Sequence, residues 1–579
     1  MAEFVFLSIG TPPLGQEILR QKLNQEGINT RLFSMNNIFK RVIDGGDDAR
    51  SRKKAKQFQK EAEEYLQELK QKISAPAFIG MTFFDSELEK NTSFFVARNI
   101  KRFFPGAKLI AGGPAFNSNP VGFFRETKAD YAIAGEAENA LPKLIKILTK
   151  RSQGTLEEVE GIVFRKNRRI IRNPPARITR EEIQNASFVS ITRGKFASTY
   201  SERGCPNACV FCTVPRKGNP AQLKEETIIE GIKALARNKE IKVVSLIDDQ
   251  FFADKARANR IMDRIIALGL NKRFEFDYGA TIESLLKNGK PDIALIRKIK
   301  QSGTVLLQIG TEALNNNMLK ELKGGRYTKE QAIAVLKALR ENKIHTASFM
   351  LAGGIETRAR DFLESYYNAK SLSVKRKIYF HEMATIAAIK GTPIQRIAEK
   401  EKLLFTIAGR EATMPKRNGT GQRFVLPRDP HLRKLLIEKL KKDRSRSIGV
   451  KDEAKVLKMA NESQDPVALK YARKIQKLSG QAEARIKLTD KFRNGFLAKR
   501  IENELTKQGI ALTPQNANKF LTTPNGKRLT EQSEKLVGHY AQSWIKAYEQ
   551  EGIERLRTIQ KMRKKHGVGM TTRGKRLRF

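Results

Sequence analysis

The segment Gly204-Cys205-Pro206-Asn207-Ala208-Cys209-Val210-Phe211-Cys212 holds every cysteine of a 579-residue chain. The spacing is Cys-x3-Cys-x2-Cys. Thiols three and four positions apart on one short loop can share a single metal centre. Structural zinc asks for four protein ligands. A histidine could be the fourth, but the chain has five and none precedes His345. An iron–sulfur cluster held by three thiolates keeps one iron open for a substrate or cofactor, which is a chemical reason for three cysteines rather than four.

Outward from this loop, the pattern is α/β. From residue 197, apolar runs alternate with helical segments: ASTYSERG, KVVSLIDDQFF, KRFEFDYGAT, GTVLLQIGTE, IHTASFMLAGG and KRKIYFHEMATI. Six βα units predict a partial barrel, (β/α)6, with its site at the carboxyl ends of the strands. Residues 1–150 carry a second series, with strands at EFVFLSIG, TRLFSM, PAFIGMTFF, KLIAGG and DYAIAGE. Strands and helices in alternation predict a flavodoxin-like (Rossmann-type) parallel sheet covered on both faces. Residues 48–73 read as a charged helix with Phe58, Ala62, Tyr65 and Leu69 on its core side. Residues 155–185 read as a connector with a hairpin turning at Lys166–Arg168. After about 415 the strand signal stops, and basic helical patterns run to a basic, disordered-looking end. The expected domains are 1–185, 190–415 and 416–579.

The net charge is +48. Residues 426–579 hold 37 Lys and Arg against 16 Asp and Glu, which is +21 of that total. Such a balance suits a polyanionic partner such as nucleic acid, or a generally basic surface. Aromatics are sparse in this region, so a base-stacking platform is not expected. Three clustered cysteines exclude a disulfide framework and point to a reducing cytoplasm. No run approaches the roughly 18 apolar residues of a membrane span, and the first residues lack the basic region of a signal peptide.

The cysteine motif, with Phe211 before the last thiol and Arg203-Gly204 before the first, resembles the radical S-adenosylmethionine (SAM) superfamily. The resemblance implies that Cys205, Cys209 and Cys212 hold a [4Fe–4S] cluster. Its open iron would chelate SAM, and one-electron reduction would cleave SAM to a 5′-deoxyadenosyl radical. Asp248 and Asp249 resemble the segment meeting the SAM amino group. Gly310 and Glu312 resemble the family's G-x-E, whose acid approaches the ribose diol. Gly353 resembles the small-residue end of the fifth strand. Gly391-Thr392-Pro393 matches a turn after the sixth strand, although the usual Pro-x-Pro upstream is replaced by Ala387-Ala388-Ile389-Lys390.

The N-terminal region is similar to the cobalamin-binding domain fused to many radical SAM proteins. The resemblance rests on Pro12-Pro13-Leu14-Gly15, Gly112-Gly113, and Gly135-Glu136-x-Glu138. It implies corrinoid contacts at Pro13, Gly15, Gly112, Gly113, Gly135 and Glu136, with the glycines admitting a bulky corrin. No histidine ligand comes from this domain, because the D-x-H-x-x-G motif is missing. The implied activity is cobalamin-dependent methylation of an unactivated carbon, with flavodoxin or ferredoxin as reductant. Two alternatives stand beside it. One is a non-methylating rearrangement, cyclisation or oxidation. The other is a nucleic-acid-binding protein with a structural or vestigial cluster. RNA methylthiotransferases resemble this chain less, since they use further cysteines for a second cluster.

Overall fold

The computed structural model describes residues 3–8, 13–35, 49–73, 75–83, 87–214, 216–376, 378–407, 422–443, 447–449, 452–478, 504, 508, 520 and 522–528. Pro12 and most of the chain beyond 478 lie outside them. The chain divides into two compact units. The first is 1–241 with 245–249 and 386–426; the second is 242–244 with 250–385 and 427–579.

The first unit is built on a seven-stranded sheet. Its strands are β1 (Phe4–Ser8), β2 (Thr30–Ser34), β3 (Phe78–Thr82), β4 (Lys108–Gly112), β5 (Tyr131–Ile133), β6 (Ile162–Lys166) and β7 (Arg169–Arg172). They lie in the order β2-β1-β3-β4-β5-β6-β7. The first five are parallel, which gives the 2-1-3-4-5 order of a doubly wound sheet with its reversal between β1 and β3. All five residues of β1 are buried, as expected of a parallel strand covered on both faces. One face packs Val5, Leu7, Ile79 and Met81 against the helices Ala49–Lys72 and Glu87–Phe103. The other packs Phe4, Phe6, Phe78 and Ile110 against Leu14–Gln25 and Ala140–Leu148. Ala62 and Leu69 are buried as expected; the side chain of Phe58 lies outside the described residues.

The predicted hairpin at Lys166–Arg168 forms, with Asn167 and Arg168 both at positive φ (48° and 65°) and Lys166 paired with Arg169. This is the left-handed two-residue turn that suits strand twist. The hairpin is not a free connector: β6 pairs antiparallel with β5 and extends the first sheet. The unit also contains Phe196–Thr199, whose Thr199 carbonyl accepts the Ile247 N–H at 2.8 Å.

In the second unit, Glu275–Thr281, Thr304–Glu312, His345–Leu351 and Tyr379–Ala384 pair in parallel in chain order. Amphipathic helices connect them. Ile293–Gln301 buries Leu295, Ile296 and Ile299, and Lys329–Glu341 buries Val335, Leu336 and Leu339 behind a Thr328–Gln331 capping box. Helices continue after 427, as expected: Pro430–Glu438, Glu453–Ser463 and 466–478. The last meets Ala359–Arg376 through a Tyr367–Tyr471 ring contact at 5.7 Å and an Arg360–Asp465 ion pair at 3.5 Å.

The expectation that strands end near 415 needs correction. Gln422–Val425 pairs antiparallel with Leu404–Ile407 in the first unit. Ser447–Ile448 pairs antiparallel with Tyr379–Ala384 in the second. The first completes a two-stranded ribbon and the second is a two-residue edge strand, each held by its partner strand rather than by an apolar run of its own.

Candidate metal and cofactor site

The three-cysteine loop leaves the strand Phe196–Thr199 and is tied down before the first thiol. Asp248 Oδ1 accepts the Ser201 and Glu202 N–H groups at 2.6 and 2.9 Å, and Oδ2 accepts the Ser201 hydroxyl at 2.6 Å. Asp249 takes the next donor, the Gly204 N–H, at 3.0 Å. Gly204 sits at φ +97°, and a Cβ there would lie 2.8 Å from the Arg216 Cβ. Only glycine lets the two ends of the loop approach so closely. They are then joined by the Gly218 N–H donating to the Cys205 carbonyl at 2.8 Å. The far side is fixed by the Ile394 N–H donating to the Val210 carbonyl at 3.2 Å. That contact comes from the first turn of Pro393–Lys400, a helix capped by Thr392.

Cys209 is buried, and Cys205 and Cys212 are half-buried. The Asn207 and Val214 N–H groups each donate to a sulfur, Cys205 Sγ and Cys212 Sγ, at 3.4 Å. Burial pushes the Cys205 and Cys212 thiols up, and the other thiols and Asp249 push the same way. These side chains therefore sense one another's charge. Lys217 opposes the rise at Cys212, and its ammonium donates to the Cys209 and Cys212 carbonyls. Such a donor set fits a cationic iron–sulfur centre, which ionises thiols that burial alone keeps neutral. Among the described residues, no three Cys, His, Asp or Glu side chains converge as the ligands of a single ion would. A cluster distributes its thiolates over separate irons and asks for a wider triangle. Phe211 is half-buried. Asp249 keeps an exposed edge, yet the protein around its carboxyl raises its pKa, against the Gly204 N–H.

In the second unit, Gly310 and Glu312 end the strand Thr304–Glu312, where the register with His345–Leu351 shifts between them. Glu312 has φ +55°, a strained conformation for a residue with a Cβ. The Tyr327 hydroxyl donates to the Thr311 carbonyl at 2.9 Å and pins the bulge. Burial pushes the Glu312 carboxyl up, while Lys323, 3.8 Å away and itself buried, pulls it down. A Cβ at Gly353 (φ +132°) would strike the Thr357 side chain at 2.6 Å. Thr357 is held in turn by Glu321 at 3.0 Å. Gly353 is thus required by its own loop.

The glycines of the N-terminal sheet fall into two groups. A Cβ at Gly113 would lie 2.6 Å from Thr82, and one at Gly135 would lie 2.1 Å from the Ala176 carbonyl oxygen. Neighbouring chain accounts for both. Among the described residues, nothing lies within 4 Å of a Cβ at Gly15, and one at Gly112 meets only the Ile133 carbonyl oxygen at 3.4 Å. Pro13 precedes the first helix as its N-cap residue. Gln16, buried in that helix, has an Oε1 with no hydrogen-bond partner among the described residues. An open glycine and an unmatched buried acceptor in the first turn of the helix Leu14–Gln25 suit a ligand at the carboxyl edge of this sheet.

Glu136 does not stand free. Its two oxygens accept Arg216 Nε and Nη2 at 2.8 and 2.5 Å. Glu138 pairs with Arg203, which also donates to the Tyr200 hydroxyl at 3.2 Å. Burial works against the Arg203 charge, and Glu138 more than restores it. Sequence reasoning gave no role to Arg216 or Lys217. Two consecutive cations four and five residues beyond the last cysteine were the available signal.

The radical SAM superfamily profile matches residues 200–365. An uncharacterized methyltransferase of Pyrococcus horikoshii is 25% identical over 351 residues, covering 58% of this chain and 72% of its own length. The anaerobic magnesium-protoporphyrin IX monomethyl ester cyclase of Synechocystis is 23% identical over 284 residues, covering 46% of this chain and 54% of its own. Among solved structures, the radical SAM methyltransferase TsrM of Kitasatospora setae, with cobalamin and a [4Fe–4S] cluster bound, aligns with a TM-score of 0.59 at 15% identity. The alignment covers 84% of this chain and all of TsrM. The cobalamin-dependent SAM radical enzyme OxsB, with aqua-cobalamin and SAM bound, gives 0.58 at 16% identity and covers 99% of this chain and 82% of OxsB. The matched profile and the thiol loop inside it give this chain a radical SAM domain at residues 200–365, on a fold shared with TsrM and OxsB.

Proposed function

We propose that this chain is a cobalamin-dependent radical SAM methyltransferase acting on an unactivated carbon. The observation that carries the reading is one compact unit holding both halves of the chemistry. The unit contains a parallel sheet in 2-1-3-4-5 order and the three-cysteine loop, and the turn after β5 is ion-paired to both ends of that loop. Cys205, Cys209 and Cys212 would hold a [4Fe–4S] cluster, and Asp249 lies beside them for the SAM amino group. Glu312 offers a carboxylate able to accept from both hydroxyls of a ribose. Pro13, Gly15 and Gly112 would line the corrinoid's approach to the sheet. When bound, the cluster supplies the electron that cleaves SAM, and the corrinoid carries the methyl group. With no histidine before His345, this sheet gives the corrinoid no imidazole. A flavodoxin or ferredoxin would deliver the electron.

The test is product analysis. Reconstituted protein is given reductant, cobalamin, SAM with a deuterated methyl group, and a panel of small molecules. The expected products are 5′-deoxyadenosine, S-adenosylhomocysteine and a labelled acceptor, all lost in Cys209→Ser. Formation of 5′-deoxyadenosine with no S-adenosylhomocysteine would instead establish rearrangement, cyclisation or oxidation.

A further inference from the structure

We propose that Glu136 and Glu138 are positioning residues for the three-cysteine loop. Through Arg216 and Arg203 they hold both ends of that loop on the turn after β5 and help set the potential of its cluster. The proposal rests on the reading of the loop as a cluster site. It departs from the expectation that Glu136 contacts the corrinoid, because both carboxylate oxygens of Glu136 are taken by one guanidinium.

The geometry is that of a clamp. Arg203 precedes the first cysteine by two residues, and Arg216 follows the last by four. The side chains of Arg216, Glu136, Glu138 and Arg203 are 8%, 15%, 15% and 19% exposed. A bidentate Arg–carboxylate pair fixes direction as well as distance. Glu136 Oε2 also accepts the Ile178 N–H at 3.3 Å, and Arg216 Nη2 donates to the Ile178 carbonyl. Arg203 Nη1 lies 3.7 Å from Glu136 as well as against Glu138, so the two pairs form one network. The clamp also holds strain. Arg216 sits at φ +59°, a conformation that persists without glycine only where the surroundings fix it. Its backbone lies against Gly204, the residue before the first thiol.

Two consequences follow. Removing Glu136 leaves the Arg216 guanidinium without its carboxylate, and removing Glu138 leaves Arg203 with only the 3.7 Å contact to Glu136 and the Tyr200 hydroxyl; either change disturbs the loop more than losing a surface pair would. The unmatched cation also favours an added electron nearby, so the cluster becomes easier to reduce.

The experiment uses full-length reconstituted protein. Glu136→Gln, Glu138→Gln and the double variant Glu136→Gln/Arg216→Gln are compared with wild type. The readouts are iron loss to a chelator, midpoint potential by EPR-monitored titration, cobalamin retention after desalting, and Tm. Each single variant should lose iron about tenfold faster or more and shift to a less negative potential, while retaining cobalamin. The double variant should lose iron as fast, yet return toward the wild-type potential because the cation is gone. A Glu136→Gln protein with wild-type iron retention and potential but no cobalamin would overturn the proposal and make Glu136 a corrinoid contact. Potentials unchanged in every variant, with iron loss tracking Tm alone, would overturn it in favour of simple packing. Wild-type protein that takes up no iron would overturn the cluster reading and this proposal together. Wild-type protein that takes up iron but no cobalamin would overturn only the corrinoid reading, since the clamp is read on iron.

Discussion

Asp248 takes both donor groups of Ser201, the backbone N–H on Oδ1 and the hydroxyl on Oδ2, each at 2.6 Å. With the Glu202 N–H it accepts three donors at the entrance to the cysteine loop. Asp249 accepts one N–H there and acts electrostatically on two of the thiols. The adjacent carboxylates therefore divide the work. Asp248→Ala should cost on the order of 3 kcal/mol or more, because bonds to a charged acceptor contribute about 1.5–3 kcal/mol each. It should also lower iron retention. Asp249→Asn should leave Tm and iron content near wild type and weaken SAM binding. Thermal unfolding and equilibrium dialysis with SAM check both.

Glu312 combines a positive φ with a buried carboxyl beside Lys323. Glu312→Gln keeps the shape and removes the charge. SAM should raise the Tm of the wild type by ligand linkage and raise that of the variant much less. An equal shift in both proteins would remove Glu312 from the SAM site.

His345 gives a pH signature. Burial first, then the Arg340 and Lys300 charges, push its pKa down from 6.5 to about 3. The unfolded chain therefore takes up a proton that the folded chain refuses. The resulting stability is fully present above about pH 6.5 and is lost as pH falls toward 3. The slope is up to about 1.4 kcal/mol per pH unit while only the unfolded state titrates. His345→Leu should flatten the acid side of the stability profile by that amount. Chemical unfolding at pH 4, 5, 6 and 7 checks it.

The helical region after 427 contains a fully buried ion pair, Lys439–Asp452 at 2.6 Å, with side chains 0% and 3% exposed. Asp452 also accepts the Gly449 N–H at 2.8 Å, beside the edge strand Ser447–Ile448. Lys439→Met leaves a buried carboxylate without its cation and should destabilise by about 3–5 kcal/mol. The double variant Lys439→Met/Asp452→Asn should recover part of that loss. Urea titration of both variants measures the difference.

Much of the candidate site was legible in the sequence because the chemistry proposed for it is local. Three thiols within eight positions, and carboxylates and glycines at strand ends, need no knowledge of distant neighbours. The parallel sheets were legible because strands such as Phe4–Ser8 are a near-continuous apolar run. Partnership across long separations was not legible. Glu136 and Arg216 are 80 positions apart, and nothing local distinguishes a carboxylate awaiting a ligand from one already paired. The same limit applied to Asp248 against Asp249, whose difference lies in what Ser201 and Gly204 present to them. Gly113 and Gly135 read as space for a corrin, yet Thr82 and Ala176 occupy that space. The edge strands at 422–425 and 447–448 are specified by the strands they join and not by their own residues.

The proposed function requires one chain to hold a cluster on Cys205, Cys209 and Cys212 and a corrinoid on its N-terminal sheet. Anaerobic purification, cluster reconstitution, addition of hydroxocobalamin and desalting, followed by counting iron and cobalt on the same sample, test it most directly. The expected result is about four irons together with cobalt in equal number to the protein chains, and iron lost in each cysteine variant. Iron without cobalt would rule out cobalamin-dependent methyl transfer, and zinc in place of iron would rule out radical SAM chemistry altogether.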